Sequence, residues 1–177
     1  MKIGIQGCKG SFHELAAFKF FEKKAIELLE YESFDSLATA LSHRKIDRAV
    51  MAVENTIAGK LEYNLNLIDT HRFIVEGKTI TPIRMCLMTL PDVHWSQINE
   101  VHSHPVALKQ CQKYLSGFSW LQKEISDTAG GAKWLANQKA TNVAIIAGEH
   151  VAQIYYLKII ASEIQDVEEN QTSFFLL

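Results

Sequence analysis

The stretch KIGIQGCKGSFHELAAFKF, residues 2–20, decides the fold. Its first part, Lys2 to Gln6, is mostly apolar and predicts a buried strand, and the run GCKGS from Gly7 to Ser11 predicts a tight turn. Between Phe12 and Lys23 apolar residues recur at helical spacing, and Ser11 stands where a helix N-cap is expected. A strand, a turn and a helix in this order form one unit of an α/β fold.

The same form recurs at three further places, where a small polar cluster stands between a strand and a helix. These clusters are Glu54-Asn55-Thr56, Ser103-His104-Pro105 and Asp127-Thr128-Ala129. A long extended passage, residues 73–90, separates two groups of such units. We therefore predict an α/β protein of two lobes, with residues 1–78 and 158–177 in lobe 1 and residues 79–157 in lobe 2. The ligand is expected in a cleft, where strand C-termini and helix N-termini converge.

Composition and charge exclude several classes of protein. The 177 residues are 47% hydrophobic, which argues against intrinsic disorder, and the formal net charge of -2 leaves no basic excess for nucleic acid. No apolar run of about 18 residues occurs and the N-terminus does not resemble a signal peptide, so we expect a cytoplasmic protein that does not bind membranes. The widely spaced Cys8, Cys86 and Cys111 are expected to be free thiols.

Each polar cluster taken alone is explained as a helix N-cap. Four of them at one cleft predict a site for a small anionic molecule, because each brings hydroxyl and amide donors and none brings a set of metal ligands. The turn from Gly7 to Ser11 lacks the spacing of a nucleotide-binding loop. His102 and His104 would share one face of a strand, as in a metal site, but the preferred interpretation is a lone histidine at a helix start and no metal.

Five separated motifs follow one another along the chain. They are GCKGSF (7–12) with Ala16-Ala17, VENT (53–56) with Gly59, VHSHPVAL (101–108) with Gln110-Cys111, Thr128-Ala129 with Ala132, and IYYL (154–157) with IQD (164–166) and NQTSF (170–174). By these motifs the chain resembles the catalytic domain of prephenate dehydratase over nearly its whole length. The resemblance implies two α/β lobes related to type II periplasmic-binding proteins, with prephenate bound in the cleft.

The resemblance also implies a reaction. Prephenate loses its ring carboxylate as CO2 and its ring hydroxyl as water, which gives phenylpyruvate for phenylalanine biosynthesis. No cofactor is implied, because aromatisation of the ring supplies the driving force. The expected partner is thus the small-molecule substrate, and the expected assembly is a homodimer.

Residue roles follow from the same resemblance. Thr172 matches the family's main catalytic residue, and its hydroxyl is expected to donate a hydrogen bond to the departing ring hydroxyl. Phe12 and Phe174 are expected to form an apolar wall against the ring. The substrate carboxylates are assigned to hydroxyl and N–H donors and to one histidine, namely Ser11, Asn55, Thr56, Ser103, Thr128 and His104.

Two departures from the family pattern carry expectations of their own. Ser173 stands where the family has arginine, and an arginine that bonded a carboxylate directly would contribute roughly 1.5–3 kcal/mol. We expect Lys9, in the first loop where the family often has Glu, to take over part of that role. Family members usually carry a C-terminal ACT domain that binds phenylalanine, and the chain ends at Leu177, so we expect no inhibition by phenylalanine.

Other functions stay open at this point. One is a relative that decarboxylates prephenate without aromatising it, and another is dehydration of arogenate, in which an amine replaces the keto group. A third function, of a different class, is a non-catalytic module that binds a small anion.

Overall fold

The chain folds into two compact units. The computed structural model describes residues 1–21 and 26–177. The first unit contains Met1–Ile83 and Glu169–Leu177, and the second contains Arg84–Glu168. Each unit is built on its own β-sheet.

Strands and helices alternate along the first unit until the chain returns at its end. Its strands are β1 (Lys2–Gln6), β2 (Glu27–Tyr31), β3 (Arg48–Asn55), β4 (Gly59–Lys60), β5 (Gly77–Pro82) and β11 (Gln171–Leu176). Its helices are α1 (Phe12–Phe20), α2 (Phe34–Ser42) and α3 (Glu62–His71). The strand order is β2-β1-β3-β11-β5, and β4 pairs with β3.

Both faces of this sheet are packed. β1 runs parallel to β2 and β3, whereas β11 lies antiparallel between β3 and β5. On one face Phe174 of β11 packs with Ile5 of β1 and Ala17 of α1, and on the other Met51 of β3 packs with Leu37 of α2. The two faces bury alternate residues of β3 and β11, as the two-residue period of a strand requires.

The second unit repeats the alternation. Its strands are β6 (Met85–Thr89), β7 (Glu100–Ser103), β8 (Leu121–Glu124), β9 (Val143–Gly148) and β10 (Lys158–Ala161). Its helices are α4 (Pro105–Gln110), α5 (Gln112–Leu115), α6 (Thr128–Gln138) and α7 (Val151–Tyr155). The strand order is β10-β6-β9-β7-β8. β9, with the sequence VAIIAG, lies at the centre and is buried along its whole length, which explains why it lacks a polar face.

The predicted lobes differ from these units at both boundaries. Residues 79–83 belong to the first unit, because β5 pairs with β11 through Pro82. Residues 158–168 belong to the second unit, because β10 pairs antiparallel with β6. An extended run such as 73–90 does not reveal where one sheet ends and the next begins, since both sides of the boundary are strands.

The first strand–turn–helix unit has the predicted form. The Ser11 side chain accepts the N–H of Glu14 at 3.3 Å, so the predicted N-cap is confirmed. Gly7 and Gly10 have φ angles of 92° and 91°, which residues with a Cβ rarely adopt. The helix ends at Phe20, and the last two residues of the predicted helix, 22 and 23, lie outside the described residues. Within the described chain, none of the helices is long and apolar enough to cross a membrane.

Candidate active site

Asn55, the last residue of β3, joins the start of β11. Its side-chain amide nitrogen donates to Thr172 Oγ1 at 3.0 Å, to Asn170 Oδ1 at 2.9 Å and to the Gln171 carbonyl at 3.1 Å. Thr172 lies directly opposite Asn55 in the antiparallel pairing of β3 with β11. The side chains of these two residues therefore share one face of the sheet.

The turn that follows β3 fixes the orientation of the Asn55 amide. Its Oδ1 accepts the N–H groups of Ile57 and Ala58, each at 3.0 Å. Because the oxygen is held by two backbone donors, the end of the amide that faces Thr172 must be the nitrogen. Thr172 Oγ1 is thus an acceptor in this contact, and its own proton is left for another acceptor.

Thr172 lies on the same sheet face as the apolar cluster that contains Phe174. Thr172 is 8% exposed, and Phe174, two residues along β11, is 1% exposed. Phe12, which is partly exposed, packs on the cluster that contains Phe174, so the two residues predicted to form an apolar wall lie together. Because Phe174 is buried, the surface of that wall is left to Phe12.

His13 packs on this cluster and was not predicted as a site residue. Its ring lies edge-on to Phe174 with the centroids 5.0 Å apart, and its Nε2 accepts the N–H of Ala52 at 3.4 Å. Burial lowers the pKa of His13 to about 4, so the ring is neutral near pH 7. The neutral ring can therefore accept the N–H of Ala52, which lies in β3 three residues before Asn55.

Thr56 binds the backbone of β11. Its hydroxyl donates to the Gln171 carbonyl at 2.9 Å and accepts the Gln171 N–H at 3.0 Å. The hydroxyl proton is therefore used within the protein, although Thr56 is exposed. The predicted role of Thr56 in carboxylate binding stays a prediction, and the structure assigns its hydroxyl to holding β11.

The backbone N–H groups of the first turn are occupied by the protein itself. Gly10 donates to the Glu14 carboxylate at 2.6 Å, Lys9 donates to the Glu30 carboxylate at 2.7 Å, and Ser11 donates to the Cys8 carbonyl at 2.9 Å. The Ser11 hydroxyl accepts at the N-cap, so its proton is a donor that this turn offers to an anion.

Ser173 lies on the other face of the sheet from Thr172. It is 9% exposed and pairs with Glu54 of β3 and Ile80 of β5, and successive side chains of a strand point to opposite faces. An arginine at position 173 would leave the sheet on the face away from the Thr172 hydroxyl. The expectation that Lys9 replaces this arginine therefore has no support from the geometry of β11, and it stays a prediction.

The remaining predicted residues belong to the second unit. Ser103 is fully buried, and its hydroxyl donates to the Ile146 carbonyl at 2.7 Å. His104 is the N-cap of α4, where its Nδ1 accepts the N–H of Val106 at 3.2 Å. Thr128 is the first residue of α6 and is partly buried. The structure assigns internal bonds to Ser103 and His104, and the substrate-binding roles of all three stay predictions.

The start of α6 is capped by a carboxylate. Asp127 accepts the N–H of Ala129 at 3.0 Å and the N–H of Gly130 at 2.8 Å. The positive end of the helix dipole therefore already faces a negative charge of the protein.

His102 is hydrogen-bonded to a carboxylate. Its Nε2 lies 2.8 Å from Glu100 Oε2, which also contacts Lys123 Nζ at 2.8 Å. The hydrogen bonds from Lys123 and His102 lower the pKa of the Glu100 carboxyl. Among the described residues no three His, Cys, Asp or Glu side chains are grouped as a metal site. Glu100 stands two residues before His102, and this spacing on one strand is the signal for the pair.

Asn170 is a second residue that was not predicted in the site. It is 2% exposed and accepts from Asn55 at 2.9 Å. It stands two residues before Thr172, so the two-residue period of an extended chain was the available signal.

Comparison with known proteins identifies the family and the fold. The family model described as prephenate dehydratase matches residues 3–177. Arogenate dehydratase 2 of Petunia hybrida is 33% identical over 177 residues, covering 100% of this chain and 44% of the relative. Arogenate dehydratase/prephenate dehydratase 2, chloroplastic, of Arabidopsis thaliana is also 33% identical, with 100% and 46% covered. The chain spans less than half the length of these curated relatives.

Solved structures support the fold alone. The prephenate dehydratase of Arthrobacter aurescens in complex with L-Phe superposes with a TM-score of 0.88 at 22% identity, covering 99% of this chain and 59% of that one. A protein described as GqqA, a quorum-quenching acylase, gives 0.84 at 22% identity, with 99% and 63% covered. The periplasmic VFT2 domain of Bordetella pertussis BvgS gives 0.50 at 12% identity, with 99% and 79% covered. The predicted fold class is confirmed, and since the family model covers residues 3–177, the chain belongs to the prephenate dehydratase family.

Proposed function

We propose that this protein converts prephenate to phenylpyruvate, CO2 and water. The observation that carries the proposal is the orientation of Asn55, which occupies an acceptor position of Thr172 Oγ1 and leaves the hydroxyl proton for another acceptor. A departing hydroxyl on the substrate ring is such an acceptor. Membership of the prephenate dehydratase family supports the choice of substrate.

The reaction balances with one donor and no redox step. The bond from the ring to its carboxylate breaks and releases CO2, and its electron pair enters the ring. The bond to the ring hydroxyl breaks at the opposite carbon, and that oxygen leaves as hydroxide, which takes up a proton from the solvent and becomes water. Thr172 donates the hydrogen bond that polarises this leaving group, which is worth on the order of 10²–10⁴-fold in rate.

The surroundings of Thr172 suit this chemistry. A carboxylate loses CO2 more readily when water is excluded, because its charge is then less well solvated. Thr172 is 8% exposed and lies on the sheet face that Phe12 and Phe174 cover. On this proposal the Ser11 hydroxyl is a donor for a substrate carboxylate, and Lys9 of the same turn is its candidate partner. The roles of His104 and Thr128 in the second unit stay predictions.

Dehydration of arogenate is the second candidate function. Two relatives that cover this whole chain at 33% identity carry arogenate dehydratase in their names. Arogenate differs from prephenate in the side chain, where an amine replaces the keto group, and the ring chemistry at Thr172 is the same. The ratio of kcat/KM for the two substrates decides between them.

Product analysis tests the proposal. The protein is incubated with prephenate or arogenate at neutral pH, and the products are separated by chromatography. Phenylpyruvate from prephenate, or phenylalanine from arogenate, is the expected result. A dihydro-hydroxyphenylpyruvate peak would instead assign a decarboxylase that does not aromatise the ring, and binding without turnover would assign a binding module.

Location and assembly belong to the same proposal. The cytoplasmic location and the homodimer stay predictions. Light scattering of the purified protein on a sizing column measures the mass, and a mass of one chain would contradict the homodimer.

A further inference from the structure

Thr81 of β5 stands beside Thr172, and its hydroxyl has no partner among residues 1–21 and 26–177. The pairing of β5 with β11 places Thr81 directly opposite Thr172, just as the pairing of β3 places Asn55 opposite Thr172. Asn55, Thr172 and Thr81 thus form a row across three strands, on one face of the sheet. Directly opposed residues have Cβ atoms roughly 4.5–5.5 Å apart, and a pair of threonines at that distance can form a hydrogen bond.

The hydroxyl of Thr81 is buried. The residue is 2% exposed, and within the described part of the chain its Oγ1 has no hydrogen-bond partner. A buried hydroxyl without a partner destabilises the folded state, since valine has nearly the same shape and no polar group to desolvate. Its place next to the proposed proton donor suggests that the hydroxyl finds its partner during the reaction.

We propose that Thr81 is a positioning residue that donates a hydrogen bond to Thr172 Oγ1 as Thr172 donates its own hydrogen bond to the leaving hydroxyl. The inference rests on the proposed function. Asn55 supplies one donor to this oxygen in the resting protein, and rotation of the Thr81 side chain supplies a second one when negative charge develops on the oxygen. No bond is formed or broken at Thr81, and its proton stays on its own oxygen.

An interaction that forms only in the transition state has a kinetic signature. It raises kcat and leaves KM unchanged, because it contributes nothing to binding of the ground state. Removal of a hydrogen bond to a charged oxygen is expected to lower kcat about ten- to hundredfold. The same change is expected to leave thermal stability equal to or above that of the wild type, because the unsatisfied hydroxyl is gone.

Thr89 provides a matched control. It lies in β6 of the second unit, is fully buried, and has the other hydroxyl without a partner within the described part of the chain. The variants T81V and T89V therefore make the same chemical change in the same kind of environment. Both are expected to keep or raise the melting temperature, and only T81V is expected to lower kcat.

Steady-state kinetics with prephenate and arogenate test the inference on T81V, T81S, T89V, T172V and the double variant T81V/T172V. We expect T81V to lower kcat at constant KM, and T81S, which keeps the hydroxyl, to restore it. The double variant is expected to match T172V, because Thr81 acts only through Thr172. Wild-type kcat in T81V, or an added loss in the double variant, overturns the inference. Absence of dehydratase turnover in the wild type overturns the proposed function and this inference with it.

Discussion

Replacement of Asn55 by aspartate reverses the hydrogen bonding at Thr172 while it changes the shape of the side chain little. The Asn55 nitrogen donates to Thr172, Asn170 and Gln171 at 2.9–3.1 Å, and its oxygen accepts from two backbone N–H groups. In N55D a carboxylate oxygen takes the place of the nitrogen. The Thr172 hydroxyl then donates to this oxygen, and its proton is no longer available to the substrate.

The size of the effect follows from the contacts that change. Loss of the donor to the leaving group is expected to lower kcat at pH 7 by about 10²-fold or more. The new carboxylate also faces the Gln171 carbonyl, which cannot turn away, so a loss of about 1–3 kcal/mol in the free energy of unfolding is expected. The oxygens around it raise the pKa of the introduced carboxyl. As the pH falls the carboxyl is protonated and can donate to Thr172 again, so kcat of N55D is expected to rise relative to the wild type.

Asn64 provides the control for N55D. Its amide nitrogen donates to the Ala52 carbonyl at 2.7 Å in the same unit, and the residue is 3% exposed. N64D turns a carboxylate towards a carbonyl without touching Thr172, so it is expected to lower the melting temperature and keep kcat. The assay compares kcat, KM and the pH profile of both variants with prephenate and arogenate. An N55D variant with wild-type kcat at pH 7 would refute the assignment of the proton at Thr172.

Three further predictions concern single groups. T172V keeps the β-branched shape and is expected to lower turnover by about 10²-fold or more with little change in substrate binding. Kinetics measure the turnover and calorimetry measures the binding. Full activity would show that Thr172 is only a strand residue. The pKa of His13 is lowered from 6.5 to about 4 in the folded protein. Between these two values the unfolded chain binds more protons than the native one. The free energy of unfolding is therefore expected to fall by about 3 kcal/mol as the pH drops from 7 to 4. Urea titrations of the wild type and H13Q measure this, and an equal pH dependence in both would contradict it. Dialysis against a chelator is expected to leave the rate unchanged, whereas a loss that zinc restores would point to metal ligands at His102 and His104.

The identity of Thr172 could be predicted from sequence, but the direction of its hydrogen bonds could not. The motif NQTSF gives the residue, and the pairing partner Asn55 stands in the motif VENT. Which end of the Asn55 amide faces Thr172 depends on Ile57 and Ala58, whose N–H groups hold the oxygen. The turn after β3 thus decides which end of the Asn55 amide faces Thr172, and the residue types of the motif do not determine the backbone geometry of that turn.

The hydrogen bonds of the backbone N–H groups in the first turn are a second feature that was not predicted from the sequence. The sequence predicts that the donors of the first turn are available to a ligand, because a turn before a helix leaves them unpaired. In the structure Glu14 binds the N–H of Gly10 from within the first turn of α1. The residue three places after the N-cap is a known position for such a carboxylate, so this bond could have been anticipated. Glu30, which binds the N–H of Lys9, lies on β2 and could not.

Register, rather than any single residue, brings the site together. Asn55, Thr172 and Thr81 come from three strands, and they face one another because β11 pairs with β3 and β5 in one particular alignment. A shift of one residue in β11 would turn Ser173 to this face and Thr172 to the other. The Thr56 hydroxyl and N–H bind Gln171 at the start of β11 and oppose such a shift. Thr56 thus contributes to the proposed chemistry through the position of Thr172, and substitution of its hydroxyl should change turnover.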